Sequence, residues 1–92
     1  MKFEWDEDKN TINKAKHKIS FQTAAYVFDD PEYIEMYDFE HSIEEDRYIA
    51  IGMVEDILFV VFTERKDAIR LISARLATEK ERRLYYDQNI HY

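Results

Sequence analysis

Residues 57–63 read ILFVVFT and contain the longest apolar run of the chain, Ile57–Phe62. The run has the length of a strand, and apolar residues occupy both of its faces. This pattern predicts a strand at the centre of a sheet. The turn at Glu55-Asp56 precedes it, and the turn at residues 64–67 leads into a further strand at Ala68–Arg75. Connections of hairpin length join antiparallel neighbours, so the stretch predicts an antiparallel sheet.

Two more strands precede this stretch. Residues 33–37 and 47–54 alternate with a period of two, which is typical of half-buried strands. An acidic loop around His41-Ser42 joins them. At the N-terminus, Met1–Trp5 also alternates and predicts a short first strand.

Capping signals indicate three helices. Asp6 is an N-cap for a helix that runs to about His17, and Ser20 caps a second helix that ends at Asp29-Asp30-Pro31. Thr78 and Glu81 have the spacing of a capping box, which predicts a final helix to about residue 88. The predicted fold is an α+β domain of order β-α-α-β-β-β-β-α. Its two N-terminal helices and its C-terminal helix pack on the antiparallel sheet.

Length and composition narrow the class of protein. Ninety-two residues form a single domain, residues 1–92, and 46% apolar residues exclude disorder. The absence of cysteine excludes disulfides, thiol nucleophiles and thiolate metal sites. An apolar signal segment after Met1 and an apolar run of membrane-spanning length are both absent. We therefore expect a cytoplasmic protein that does not act on membranes.

The net charge of −7 is distributed unevenly. Residues 29–46 carry nine acids and no lysine or arginine, whereas residues 64–83 carry seven basic and four acidic residues. An acidic protein is at first a poor binder of nucleic acid, because lysine and arginine contacts to phosphate drive such binding. The uneven distribution lets the acidic and basic segments serve different partners.

The histidines and the acidic loop do not predict a metal site or a cofactor. His17, His41 and His91 lie in three separate segments without metal-ligand spacing. The loop at residues 38–46 lacks the spaced ligands and central glycine of a calcium loop, so we interpret it as solvated and charged. One glycine is too few for a phosphate-binding glycine loop.

Five arginines within residues 65–83 are the strongest chemical signal from the residues alone: Arg65, Arg70, Arg75, Arg82 and Arg83. A guanidinium group suits two-pronged contacts to phosphate. The alternative is that they pair with nearby acids such as Glu64, Asp67, Glu79 and Glu81. His17, beside Lys16 near a helix end, suits proton transfer, and the alternative is a histidine that caps helix carbonyls.

Several short blocks of the sequence together resemble one family. They are Phe3-Glu4-Trp5-Asp6, Lys16-His17, Val27-Phe28-Asp29-Asp30-Pro31, His41-Ser42 with Glu45 and Arg47, Thr63-Glu64-Arg65, Ile72-Ser73-Ala74-Arg75 and Glu81-Arg82-Arg83. Their order and spacing, over about residues 2–87, resemble the BrnT toxins of bacterial type II toxin–antitoxin systems. The two strongest blocks, Lys16-His17 and Ile72-Ser73-Ala74-Arg75, are specific only in combination.

The resemblance implies a fold like that of the RelE-like toxins and a ribonuclease activity that inhibits translation and growth. It implies a BrnA-like ribbon-helix-helix antitoxin as partner, and operator DNA is bound only through that complex. RNA is then the substrate, and a homodimer within a heterotetramer is left open as the assembly. No cofactor is implied.

Cleavage of RNA without a metal needs a base, an acid and cations for the phosphate. We assign Arg65 and Arg75 to the phosphate and His17 to proton transfer, with Glu64 as a second candidate base. Lys16, Arg70, Arg82 and Arg83 are the candidates for contacts to the RNA backbone. Two other hypotheses stay open: an inactive antitoxin-binding co-repressor of the same fold, and an acidic mimic of nucleic acid.

Overall fold

The computed structural model describes residues 1–88, so His91 lies outside the described residues. The observed order of helices and strands is the predicted one, and the boundaries differ by one or two residues. Within the second helix, the last five residues tighten into a 3₁₀ turn. The elements are β1 (Lys2–Glu4), α1 (Glu7–His17), α2 (Phe21–Ala24) with its 3₁₀ turn (Ala25–Asp29), β2 (Ile34–Tyr37), β3 (Tyr48–Val54), β4 (Asp56–Arg65), β5 (Ala68–Leu76) and α3 (Glu79–Gln88).

The five strands form one sheet in the order β1-β5-β4-β3-β2. As predicted, the apolar run lies in the central strand β4, and β2 to β5 are antiparallel. The prediction of a wholly antiparallel sheet is corrected at β1, which pairs in parallel with Ala68–Arg70 of β5. Two helices separate β1 from the other strands, so no hairpin turn dictates its direction.

Each face of the sheet has its own apolar cluster. The first two helices bury Phe21, Ala24 and Val27 against one face, together with Val60 and Phe62 of the central strand. On the other face, Tyr85 of α3 packs on Ile51 and Ile57. The sheet is therefore covered on both faces, which explains why Ile57–Phe62 of β4 is apolar on both of its sides. No helix among residues 1–88 is long and apolar enough to cross a membrane.

A buried asparagine attaches α1 to the sheet. The Asn13 side chain donates to the carbonyls of Ile19 and Ala74 at 2.9 and 2.8 Å, and it accepts from the Ala74 amide at 3.1 Å. These contacts occupy backbone groups on the part of β5 that β1 does not reach. Asn13 thereby fixes the end of α1, including His17, beside β5.

The two ends of the sheet are built differently. At the end where β4 begins, which we call the closed end, α3 is tied down by hydrogen bonds from Tyr85 to Asp30 (2.6 Å) and from Arg82 to Asp56 (2.6 Å). At the opposite end, where β4 finishes at Arg65, the loop of residues 38–47 covers the strands. We call this second region the open end.

Candidate active site

The loop of residues 38–47 is held in shape at both of its ends. The Asp38 amide donates to the Arg47 carbonyl at 2.8 Å. The Ser42 hydroxyl donates to the Asp38 carbonyl at 2.6 Å and accepts from the Arg47 amide at 2.9 Å. The Thr63 hydroxyl donates to the Asp46 carbonyl at 2.6 Å, which fastens the loop to β4. Side chains on this loop are therefore presented in a defined geometry.

His41 is held by the carboxylate of Asp38. Its Nδ1 lies 2.9 and 3.1 Å from the two carboxylate oxygens. The Asp38 side chain is 11% exposed, whereas the His41 side chain is 62% exposed. A carboxylate that accepts from Nδ1 fixes the orientation of the ring and leaves Nε2 for proton transfer. The pair thus has a buried orienting group and an accessible imidazole.

Two arginines face the same cleft as His41. The cleft has a volume of about 600 Å³ and is lined by His41, Ile43, Glu44, Glu45, Arg47 and Arg65. Arg65 makes one long contact, 3.5 Å, from Nη2 to the Glu45 carboxylate. The buried Nε of Arg47 has no hydrogen-bond partner within residues 1–88. A buried donor without a partner costs about 1–3 kcal/mol, so Arg47 is not fully satisfied by the described protein groups around it.

The cleft combines the groups that acid–base chemistry on a phosphodiester requires. Glu45 supplies a carboxylate and His41 an imidazole, and both side chains can exchange protons. Arg47 and Arg65 supply guanidinium groups, which match the geometry of phosphate oxygens. No group of three or more His, Asp or Glu residues suited to hold a metal ion occurs in the described part of the chain.

Of the four residues predicted to be catalytic, only Arg65 lies in this cleft. Glu64 is its neighbour on β4, and successive residues of a strand point to opposite faces of the sheet. His17 and Lys16 line a separate groove of about 220 Å³ beside Ile72 and Ser73 of β5. The structure therefore does not bring His17, Glu64 and Arg65 together.

Arg75 is occupied at the closed end. It donates to both carboxylate oxygens of Glu81, at 2.7 and 3.0 Å, and to the Leu76 carbonyl at 3.1 Å. Its guanidinium carbon lies 3.9 Å from the centre of the Phe59 ring. Arg75 is paired with Phe59 in the sheet, and Phe59 is six residues from Arg65, about 20 Å along β4. Arg65 and Arg75 cannot bind the same phosphate in this conformation.

The remaining arginines of the basic segment also have acidic partners. Arg70 contacts Glu4 at 2.8 Å, which links β5 to β1. Arg82 contacts Asp56 at 2.6 Å, and Arg83 contacts Glu79 at 3.4 Å on the surface of α3. These three arginines therefore pair with acids, as the alternative interpretation of the sequence predicted. Only Glu79 is among the acids named there, whereas Glu4 and Asp56 are distant in the sequence.

The sequence alone predicts no chemical role for Asp38, His41, Glu45 or Arg47, because the acidic composition of their loop indicates a solvated surface. His41, Glu45 and Arg47 were present as a block of the family resemblance. Their H-x₃-E-x-R spacing places an imidazole, a carboxylate and a guanidinium within seven residues, which was the available signal. The partly buried Arg47 could not be inferred, since its burial depends on how the loop packs on β4.

Together, the fold and the cleft define a small α+β protein in which an imidazole, two carboxylates and two guanidinium groups line one cleft. The family model described as "Ribonuclease toxin, BrnT, of type II toxin-antitoxin system" matches residues 5–81. The chain belongs to the BrnT toxin family, which confirms the resemblance seen in the sequence. No curated protein matches this chain in sequence.

A solved structure supports the same assignment. The chain is similar to the Brucella abortus ribonuclease toxin BrnT, whose crystal structure was determined at 1.1 Å resolution. The two share 27% sequence identity with a TM-score of 0.67, and the match covers 86% of this chain and 99% of that one. Membership of a type II system implies a toxin role and a protein antitoxin as partner.

Proposed function

We propose that this chain is a ribonuclease toxin that cleaves RNA without a metal, and that the cleft at the open end is its active site. The observation that carries the proposal is the convergence of His41, Glu45, Arg47 and Arg65 on one cleft. Arg65 keeps its predicted role in phosphate binding. His17, Glu64 and Arg75 stay as separate predictions outside this cleft.

The reaction follows from these groups. The ribose 2′-oxygen attacks the neighbouring phosphorus while the bond from phosphorus to the 5′-oxygen breaks, which leaves a 2′,3′-cyclic phosphate. Glu45 accepts the proton of the 2′-hydroxyl, and protonated His41 donates the Nε2 proton to the leaving 5′-oxygen. Arg47 and Arg65 contact the non-bridging oxygens, where negative charge increases. Asp38 orients the ring and does not touch the RNA.

Inhibition of translation and growth follows from cleavage of cellular RNA, and we propose the bacterial cytoplasm as its site of action because its substrate is there. A BrnA-like ribbon-helix-helix antitoxin is the proposed partner, and operator DNA is reached only through that complex. The assembly that we propose is a heterotetramer built on a homodimer. Light scattering on the co-purified complex tests it, and a complex with one toxin copy would contradict it.

A specific observation supports the inactive alternative. The acidic segment lies beside Arg65 and Arg47, because Glu44 and Glu45 line the cleft with them. Carboxylates there oppose the approach of a polyanion. In this second candidate function, the same fold serves only as an antitoxin-binding co-repressor.

One experiment separates these candidates. Wild type, His41→Ala and His17→Ala are induced separately in a bacterial host, and growth and RNA integrity are followed. The purified proteins are then incubated with RNA in the presence of EDTA. We expect growth arrest and EDTA-resistant cleavage, with 2′,3′-cyclic phosphate ends, from wild type and His17→Ala but not from His41→Ala.

Other outcomes are equally informative. Loss of cleavage in His17→Ala with retention in His41→Ala would move the active site to the groove beside β5. Cleavage that EDTA abolishes would contradict the metal-independent mechanism. A well-folded wild type that neither arrests growth nor cleaves RNA would favour the co-repressor.

A further inference from the structure

A second groove begins where the proposed active site ends. It has a volume of about 350 Å³ and lies over the turn between β4 and β5, next to β1. Arg65 lines both this groove and the cleft of His41. The two cavities are therefore adjoining parts of one surface, with Arg65 between them. The groove is lined by Lys2, Phe3, Glu4, Arg65, Lys66, Asp67 and Ala68.

Fold topology brings the groove's lysines together. Lys2 is paired with Ala68 in the parallel register of β1 and β5. Lys66 lies two residues before Ala68, in the turn, where its backbone is left-handed with φ of 57°. Both lysine residues are exposed. Residues 64 positions apart in the chain thus line one groove together with Arg65.

The balance of charge in the groove is positive. Three cations, Lys2, Arg65 and Lys66, face two carboxylates. One of these carboxylates, Glu4, is engaged by Arg70 at 2.8 Å, which reduces its repulsion of an anion. The second carboxylate of the groove belongs to Asp67. This excess of positive charge favours an anion such as a phosphate group.

The side of the cleft that faces away from this groove is acidic. The loop that forms it belongs to residues 29–46, which contain nine acids and no lysine or arginine. Glu44 lines the cleft on that side, and Glu40 is exposed on the same loop. A polyanion that occupies the cleft is repelled by this loop and attracted towards the lysines.

From this asymmetry we infer that the groove over the β4–β5 turn is an RNA subsite, which binds a phosphate of the single strand next to the cleaved bond. The inference rests on the proposed function, because it takes RNA as the ligand of the cleft. It explains how a protein with a net charge of −7 binds a polyanion: the strand follows Arg47, Arg65, Lys66 and Lys2 away from the acidic loop.

The test measures binding rather than cleavage. The probe is a mixed-sequence RNA of ten nucleotides with 2′-O-methyl groups throughout, which cannot be cleaved because its 2′-oxygens carry no proton. Its dissociation constant is measured against salt concentration for wild type, Lys2→Ala/Lys66→Ala and the control Lys14→Ala/Lys80→Ala. Both double variants lose two exposed lysines, so they change the net charge equally.

We expect the groove variant to bind about tenfold more weakly at moderate salt, and its salt slope to fall by about 0.7 for each lysine that contacts a phosphate. The control is expected to stay within about twofold of wild type, because Lys14 and Lys80 do not line the groove or the cleft. A two-nucleotide 2′-O-methyl probe, too short to reach the groove, is expected to bind both variants alike.

Failure of the inference and failure of the proposed function give different results. If wild type binds the probe and cleaves RNA, but the groove variant behaves as the control does, the subsite is wrong and the active site stands. If wild type neither binds the probe nor cleaves RNA, the ribonuclease proposal is wrong and the subsite with it. Circular dichroism of both double variants checks that they are folded.

Discussion

The two ends of the sheet use the same residue types for opposite purposes. At the closed end, Arg75 makes three hydrogen bonds, to Glu81 and the Leu76 carbonyl, and lies over the Phe59 ring. At the open end, Arg47 has a buried Nε without a partner in the described residues, and Arg65 makes one contact of 3.5 Å. The first arrangement stabilises the fold, whereas the second leaves hydrogen-bonding capacity for a ligand.

This difference shows that the density of arginines along the sequence is a poor guide to a phosphate site. Arg75 lies in the most basic segment of the chain, yet its partners hold β5 against α3. Arg47 lies next to the most acidic segment, yet its Nε has no hydrogen-bond partner among residues 1–88. What distinguishes them is the number of hydrogen bonds each already makes.

Removal of Arg75 should have the largest effect on stability. Arg75→Ala deletes two charge-assisted hydrogen bonds and leaves the Glu81 carboxylate, whose side chain is 18% exposed, without its cation. We expect the free energy of unfolding to fall by about 2–3 kcal/mol, measured by urea denaturation. The matched control is Arg83→Ala, whose ion pair is fully on the surface and should contribute less than about 1 kcal/mol.

Equal effects of the two substitutions would contradict the distinction between the ends. They would mean that the contacts of Arg75 are no stronger than those of a surface pair. Arg65→Ala extends the comparison to the open end, where we expect a loss of less than about 1 kcal/mol.

Substitution of Gly52, which also lies at the closed end, should have the next largest effect on stability. A Cβ atom built on Gly52 would lie 2.8 Å from Val27 Cγ1, 3.0 Å from Tyr33 Cβ and 3.2 Å from the Val27 carbonyl oxygen. Gly52→Ala therefore forces the 3₁₀ turn away from β3, and we expect about 1–3 kcal/mol of destabilisation in thermal or urea unfolding. Unchanged stability would show that this turn shifts freely and that the closed end is less tightly packed than described.

Acid should weaken the closed end through Glu81. Partial burial alone would raise the pKa of Glu81, but hydrogen bonds from Arg75 and Thr78 outweigh burial and lower the pKa below its ordinary value of 4.5. The stabilisation by this carboxylate is thus fully present above about pH 4.5, and it is lost as the pH falls through the lower folded-state pKa. The stability difference between wild type and Glu81→Gln should therefore narrow as the pH falls below 4.5.

Urea unfolding of both proteins at neutral pH and near pH 3 measures this difference. A gap that stays constant over this range would mean that the Glu81 carboxylate is not stabilised by Arg75. The pKa of Asp30 is also lowered, so acid weakens its stabilising contacts in the same way. Burial alone would raise this pKa, but hydrogen bonds from Tyr85 and from the backbone amides of Met53 and Glu32 outweigh burial. Both variants of the comparison retain Asp30, so its contribution cancels.

Local signals in the sequence were sufficient for most of the fold. The capping box at Thr78 is confirmed by reciprocal bonds with Glu81, at 2.8 and 3.2 Å. Asp6 and Ser20 cap their helices as predicted. The direction of β1 could not be predicted, because it depends on a pairing between residues more than sixty positions apart.

The candidate site was harder to predict for a similar reason. Arg65 was identified because it follows a buried strand, and this position relative to β4 is a local property. The ion pair between Arg75 and Glu81 and the burial of Arg47 Nε both depend on tertiary contacts, which residue spacing does not reveal. Lys18 ends α1 in a left-handed conformation with φ of 62°. Its residue type does not predict this conformation, because glycine is the residue that usually adopts it at a helix end.

We attribute the chemistry of the protein to the open end of the sheet and its stability to the closed end. The most direct test is the rate of RNA cleavage per folded molecule, measured side by side for Arg47→Ala and Arg75→Ala. We predict a loss of about 100-fold or more for Arg47→Ala, since it removes a donor to the developing phosphate charge, and nearly the wild-type rate for Arg75→Ala. Retained cleavage in Arg47→Ala together with its loss in folded Arg75→Ala would contradict the account.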